Sequence, residues 1–95
     1  MTIMKFEWNP EKAAINGDKH EVSFQEAKTV FDNSLAAIFD DEDHSIDERR
    51  EIIIGYSQND RLLLVSFTER SGSIRIISAR PITRQERKTY EQRNL

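Results

Sequence analysis

Three apolar runs rich in β-branched residues occupy the second half of the chain, and their close spacing constrains the fold more than any other feature. The runs cover residues 51–56, 61–68 and 74–80. Turn-forming residues separate them, at 57–60 and at 71–73. Strands joined by turns this short pair with their neighbours in sequence, so the sequence predicts an antiparallel meander.

The last of these runs carries an arginine near each end, Arg75 and Arg80, and continues through Pro81 into a predicted helix. Arginine stays protonated, and its planar fork of donors matches phosphate or carboxylate oxygens. Two interpretations are open: the arginines bind RNA phosphate, or they are ordinary solvent-facing strand residues. A regular strand sends residues five apart to opposite faces, so the two converge only if a bulge or the Pro81 corner turns Arg80.

The first half of the chain begins with a predicted strand and helix. Residues 4–8 alternate in polarity as a strand does. Asn9 and Pro10 then supply an N-cap and a proline at the first helical position. Gly17 is expected to weaken this helix near Asn16 or soon after.

Two more helices are marked by capping boxes, in which a Ser or Thr is followed three residues later by Glu. Ser23 and Glu26 mark the first, and Thr83 with Glu86 marks the terminal helix. Residues 35–40 are predicted to form a further strand between them. The terminal helix is too polar for a core helix, and we expect it to contact the sheet through little more than Ile82 and Tyr90.

Composition limits the class of protein. A chain of 95 residues with 37% hydrophobic residues is one globular domain, covering 1–95. The absence of cysteine excludes disulfides, thiolate zinc sites and cysteine nucleophiles, and it favours a cytoplasmic location. No apolar run could cross a bilayer and no signal peptide is evident, so no membrane association is expected.

Charge is distributed unevenly along the chain. The net charge is −3, but residues 40–51 are strongly acidic and residues 69–95 are net basic. The basic third could hold phosphates. His44 in the acidic stretch could help to bind a hard cation, but adjacent residues seldom converge on one ion, and a solvated loop is the preferred interpretation. We therefore expect neither a metal nor another cofactor.

Cleavage of RNA through its 2′-hydroxyl needs proton transfer and cations around the phosphate, and the chain has candidates for both. His20 follows Lys19 between the two amino-terminal helices, and histidine exchanges protons readily near neutral pH. Arg70, Arg75 and Arg80 could stabilise the phosphate. A histidine at a helix end also often only caps carbonyl groups, so the assignment from sequence stays open.

Several blocks of the sequence together resemble one family, the BrnT toxins of type II toxin–antitoxin systems. The blocks are Phe6-Glu7-Trp8-Asn9-Pro10-Glu11-Lys12, Lys19-His20, Val22-Ser23-Phe24, Glu26-Ala27, Val30-Phe31-Asp32, Arg75-Ile76-Ile77-Ser78-Ala79-Arg80, Glu86 and Tyr90. The resemblance implies an α+β fold similar to RelE. Two amino-terminal helices would pack on an antiparallel sheet followed by a carboxyl-terminal helix, in the order β-α-α-β-β-β-β-α.

The resemblance also implies a function. It implies a metal-independent endoribonuclease that arrests growth. It also implies that a BrnA-like antitoxin, with a ribbon-helix-helix DNA-binding part, neutralises the enzyme. Operator DNA would then be bound only through the antitoxin. A homodimer or a toxin–antitoxin heterotetramer are both open. The alternative is a RelE-like binding module that has lost cleavage and acts only as antitoxin partner and co-repressor.

His20, Arg75 and Arg80 match positions of the family motifs, and Arg70 matches more loosely. The catalytic set is His20, Arg70, Arg75 and Arg80, and the RNA-binding set is Lys19, Arg84 and Tyr90. Two positions depart from the family pattern, because Glu21 stands where glycine is common and Gly17 where a larger residue is usual. If position 21 is a left-handed helix cap, Glu21 costs about 1 kcal/mol there, unless the helix ends early at Gly17.

Overall fold

The structure is a computed structural model that describes residues 5–42 and 48–93. Within these residues the chain forms five strands and three α-helices. The strands are β1 (Lys5–Glu7), β2 (Ala37–Asp40), β3 (Glu51–Tyr56), β4 (Leu62–Arg70) and β5 (Ser73–Pro81). The helices are α1 (Pro10–His20), α2 (Phe24–Thr29) and α3 (Arg84–Arg93), with a 3-10 turn at Val30–Asp32 after α2. The predicted mixed α+β class is confirmed. Met4 and His44 lie outside the described residues.

The strands form one sheet in the order β1-β5-β4-β3-β2. β2, β3, β4 and β5 pair antiparallel, which confirms the predicted meander. The expectation of a purely antiparallel sheet is wrong, because β1 pairs with β5 in parallel, from Lys5 opposite Ser73 to Glu7 opposite Arg75. Parallel neighbours need a long connection rather than a hairpin, and most of the chain lies between these two strands.

A β-bulge interrupts the pairing of β4 with β5. Phe67 is opposite Ile76, but the residue before it in β4, Ser66, is opposite Ser78. Ile77 is therefore the extra residue on β5. Because it shifts the alternation of side chains by one, the two halves of β5 present residues five apart to the same face of the sheet.

The main core lies between one face of the sheet and the helices α1 and α2. Its buried members come from both layers: Val22, Phe24, Ala27, Val30, Ile53, Leu63, Val65, Phe67, Ile74, Ile76 and Ala79. Edge-to-face aromatic contacts extend it, with the Phe31 ring 5.0 Å from Phe67 and 5.2 Å from Phe6. Because side chains alternate along a strand, every second residue of these strands points into this core and the residues between them point to the second face of the sheet.

The second face carries a smaller apolar cluster under α3. It contains Ala37, Ile54, Leu62, Leu64 and Tyr90, with Ile82 packed against it. α3 is otherwise strongly polar and exposed, as the sequence predicts. One helix over this face leaves part of the sheet uncovered, on the side of β5.

α1 continues through Gly17, where the sequence predicts a weakened helix, and ends at His20. Glu21 takes the left-handed cap position, with φ 57° and ψ 36°, and its N–H donates to the Gly17 carbonyl. A Cβ at Gly17 would contact nothing within 4 Å, so the helix tolerates this glycine rather than requiring it. Arg61 donates to the Glu21 carbonyl at 2.9 Å and helps to hold the strained cap.

The two capping boxes differ. Thr83 and Glu86 form both expected bonds, with distances of 2.8 and 3.2 Å. At α2, Ser23 Oγ accepts from the Glu26 N–H at 3.0 Å, but the Glu26 carboxylate binds Ser57 and Arg61 instead of the cap. The pKa of Glu26 is lowered by the Arg61 hydrogen bonds, against the opposing effect of burial. In the described part of the chain no helix is long and apolar enough to cross a membrane.

Candidate functional site

The three arginines predicted as catalytic share one face of the sheet. Arg70 belongs to β4, and the β4 partners of Arg75 and Arg80 are Thr68 and Leu64. Positions 64, 68 and 70 have the same parity, and directly opposed residues of paired strands share a face. The bulge at Ile77 is what allows this arrangement. The pairing positions of Arg75 and Arg80 are four β4 residues apart, which is roughly 13 Å along the strand.

Each of these arginines forms an ion pair with a carboxylate. Arg70 binds Glu48 at 2.8 Å, and Arg75 binds Glu7 at 3.3 Å. The side chains of both arginines are substantially exposed, at 50% and 30%. Exposed pairs of this kind are worth little in water, so a phosphate could replace either carboxylate without much loss.

Arg80 is held more firmly than the other two. Its Nη1 donates to Glu86 Oε1 at 2.8 Å and its Nη2 donates to Glu86 Oε2 at 2.7 Å. The pKa of Glu86 falls to about 2, chiefly because of the hydrogen bonds from Arg80, with a smaller contribution from the Thr83 N–H. The same contacts raise the pKa of Arg80. Its charge is therefore permanent at any physiological pH.

A depression of about 280 Å³ opens on this face beside Arg80. Its polar lining consists of Asp41, Arg50, Ser66, Ser78 and Arg80. Two guanidinium groups and two hydroxyls are donors to phosphate oxygens, so the lining suits an RNA backbone. Asp41 supplies the one acidic side chain.

Lys19 and His20 lie on the other side of β5, in the layer that contains α1. With Lys12 and Ile15 they line a second depression of about 210 Å³. Both depressions reach Ile77 and Ser78. β1 pairs only with Ser73–Arg75 of β5, so among residues 5–42 and 48–93 the edge of β5 beyond residue 75 has no strand partner. His20 and Arg80 therefore flank this free edge rather than sharing one face.

Asn16 fixes α1 against the free edge and was not predicted from the sequence. Its Nδ2 donates to the carbonyls of Ala79, at 2.8 Å, and Val22, at 3.0 Å, and its Oδ1 accepts from the Ala79 N–H at 3.1 Å. The amide thus replaces a strand partner for β5, and it sets the height of His20 one turn further along the helix. A polar residue three positions after the half-buried Ala13, on the inward side of the helix, was the available signal.

Tyr90, predicted to contact RNA, packs against the sheet. The side chain is buried, its hydroxyl donates to the Leu35 carbonyl at 3.1 Å, and its ring packs edge-on 6.4 Å from Tyr56. Ile82 and Tyr90 are the apolar contacts by which this polar helix attaches to the sheet, and the RNA contact of Tyr90 stays a prediction. Arg84 is exposed at the start of α3.

Across residues 5–42 and 48–93, no three His, Asp or Glu side chains are arranged to hold a metal ion.

Sequence comparison identifies the family of this chain. The family model described as "Ribonuclease toxin, BrnT, of type II toxin-antitoxin system" matches residues 8–86. The chain belongs to the BrnT family. This confirms the resemblance seen in the sequence motifs, and it makes the chain a member of a family of ribonuclease toxins from type II toxin–antitoxin systems.

Comparison of structures agrees on the fold. The chain is similar to the ribonuclease toxin BrnT of Brucella abortus, known from a crystal structure at 1.1 Å resolution, with a TM-score of 0.66 and 21% identity. The match covers 86% of this chain and 100% of the Brucella chain. A search of curated protein sequences finds no match.

Proposed function

We propose that this BrnT-family chain is a cytoplasmic, metal-independent endoribonuclease that arrests growth and is neutralised by an antitoxin. The observation that carries the proposal is the bulge at Ile77. It puts Arg80 on the same face of the sheet as Arg70 and Arg75, beside an edge of β5 that also lines the depression of His20. Membership of a ribonuclease family supports the same activity.

In the proposed reaction the 2′-oxygen of a ribose attacks the adjacent phosphorus. The P–O5′ bond breaks, leaving a 2′,3′-cyclic phosphate and a 5′-hydroxyl. His20 transfers the proton between these oxygens, and Lys19 lies next to it to neutralise the backbone. The arginines stabilise the charge that accumulates on the phosphate. All the groups used in this reaction are side chains, so the proposed reaction needs no metal.

RNA must cross the free edge of β5 to meet both sets of groups. Ser78 lines both depressions, so the crossing point lies at or near it. Replacing Ser78 by valine keeps β-propensity but adds bulk there, and we expect weaker RNA cleavage with an unchanged fold. Ser73→Val makes the same change at the start of β5 and is the matched control. Equal activity of the two variants would contradict this path.

The direct test is incubation of single-stranded RNA with purified protein, with and without a chelator. We expect cleavage in both, strongly reduced in His20→Ala and Arg80→Ala and retained in Arg87→Ala. Arg87 is also on α3, where it contacts Glu91 at 3.9 Å, and it controls for the loss of one positive charge. Cleavage should also weaken as salt rises, since phosphate contacts release counterions. A salt-insensitive rate would exclude the arginine face as the binding surface.

A second function has a specific observation in its favour. The three arginines are all paired with carboxylates, and His20 lies in the opposite layer. This arrangement also suits a RelE-like binding module that acts only as antitoxin partner. Intact RNA together with tight antitoxin binding would select this alternative.

The partner proposed is a BrnA-like antitoxin with a ribbon-helix-helix part that binds operator DNA for the complex. Induced expression in a bacterium tests the pair. We expect growth arrest by the native chain, relieved both by Arg80→Ala and by co-expression of the antitoxin. Arrest that Arg80→Ala does not relieve would separate toxicity from the arginine face.

A further inference from the structure

The guanidinium of Arg80 is only partly occupied by its ion pair. Arginine has five N–H donors. Glu86 takes one from Nη1 and one from Nη2, and the Pro81 carbonyl accepts from Nη1 at 3.3 Å. Within the described chain, Nε–H and the second N–H of Nη2 have no hydrogen-bond partner. The side chain is 35% exposed, so these two donors are not sealed in the core.

The occupied and unoccupied donors lie on different edges of the group. Nη1 and Nη2 form the end edge, which Glu86 fills, whereas Nε and Nη2 form the side edge. Each edge presents two parallel N–H groups at the spacing of the oxygens of a carboxylate or phosphate. Arg80 can therefore bind a phosphate on its side edge without releasing Glu86.

Glu86 is itself fixed at several points. Its Oε1 accepts from the Thr83 N–H at 2.8 Å, and its own N–H donates to Thr83 Oγ1 at 3.2 Å. These bonds are the capping box of α3, so the carboxylate that holds Arg80 belongs to a helix end rather than to a loose side chain. A guanidinium tied in this way loses most of its rotational freedom before any ligand arrives.

Arg80 also lines the depression that contains Arg50, Ser66 and Ser78. We propose that Glu86 is a positioning residue, which holds Arg80 so that its side edge binds an RNA phosphate in this depression. The inference rests on the proposed function and adds the geometry of one phosphate contact. It opposes the simple alternative in which Glu86 is a latch that blocks Arg80 until RNA displaces it.

Glu86→Gln separates the two models because glutamine still serves in a capping box. It replaces the oxygen that accepts from Arg80 Nη2 with an amide group, so Arg80 keeps at most one of its two bonds to position 86 and is held less firmly. If Glu86 positions Arg80, kcat for RNA cleavage falls about tenfold or more, because a misplaced contact group loses transition-state stabilisation. The Kd for RNA changes little or tightens, since a negative charge near the phosphate is gone. If Glu86 is a latch, kcat rises.

Two further variants complete the kinetic test. Glu91→Gln removes the same charge from the exposed part of α3 and should leave kcat within about twofold of the native value. Arg80→Ala should lower kcat, and Glu86→Gln added to it should have no further effect, because a positioning residue acts only through the group it positions. A second full loss in the double variant would overturn the proposal.

A binding measurement keeps the inference testable apart from cleavage. A 2′-O-methyl oligonucleotide cannot be cleaved through its 2′-oxygen and can be titrated into ¹⁵N-labelled protein. We expect the Nε–H resonance of Arg80, assigned by its loss in Arg80→Lys, to shift on binding, and to shift less in Glu86→Gln.

The two readouts distinguish the possible failures. A shift at Arg80 Nε–H without cleavage of ordinary RNA would refute the ribonuclease proposal and support the phosphate contact. Cleavage with an unshifted Arg80 resonance would support the ribonuclease proposal and refute the phosphate contact. An oligonucleotide that does not bind at all would overturn the phosphate contact.

Discussion

The ion pair between Arg80 and Glu86 should make the stability of this protein depend on pH in acid. The pKa of Glu86 falls from an ordinary 4.5 to about 2 in the folded chain, so folding favours the ionised carboxylate. A group whose pKa is lowered on folding stabilises the protein above its unfolded pKa. That stability is lost as the pH falls from about 4.5 towards 2.

The size of the effect follows from the same pKa. A fall from 4.5 to about 2 corresponds to about 3 kcal/mol of unfolding free energy. The side chains of Glu86 and Arg80 are 27% and 35% exposed. Water screens part of the interaction, so we expect about 2 kcal/mol.

Urea unfolding of the native chain and of Glu86→Gln measures this directly. The one tryptophan, Trp8, packs edge-on 5.9 Å from the buried Phe24 and reports on the main core. We expect the native chain to be more stable by about 2 kcal/mol at about pH 7, with the difference falling to less than half at about pH 3 and nearly gone at about pH 2. Glu26 titrates in both proteins and cancels in the comparison. Glu91→Gln should show no such difference. A gap that stays constant down to about pH 3 would refute the reasoning.

Three other substitutions test the geometry around His20, each by urea unfolding. Glu21→Gly should stabilise the protein by about 1 kcal/mol, because the cap at φ 57° is strained for a residue with a side chain. Gly17→Ala should stabilise it by about 0.5–1 kcal/mol, because the position is helical and a Cβ there meets nothing. Asn16→Ala should destabilise it by about 2–4 kcal/mol, since three backbone groups lose their partner. It should also lower RNA cleavage more than Gly17→Ala does, because α1 is no longer fixed to β5.

Features set by neighbouring residues could be predicted from the sequence. The caps at Asn9 and Thr83 and the meander from β3 to β5 follow from local turn chemistry and from apolar patterning, and both are present. The polar helix that contacts the sheet through Ile82 and Tyr90 follows from the same pattern.

Features set by distant partners could not be predicted. The sequence indicates that Arg75 and Arg80 share a face only if β5 contains a bulge or a turn at Pro81. The position of the bulge, at Ile77, follows only from the pairing of β5 with β4. Glu26 looks like half of a capping box until Arg61, 35 residues later, takes its carboxylate. Parallel pairing of β1 has no local signal either.

The row of arginines has a physical consequence for a protein with a net charge of −3. Arg70 and Arg75 are bound to exposed carboxylates, and a phosphate that replaces these partners changes the interaction energy little. These two should contribute mainly to salt-dependent affinity for RNA. Arg80 keeps Glu86 and uses its other edge, so it should contribute mainly to the geometry of the bound phosphate. The carboxylates thus prevent repulsion along the row in the free protein without removing its capacity for RNA.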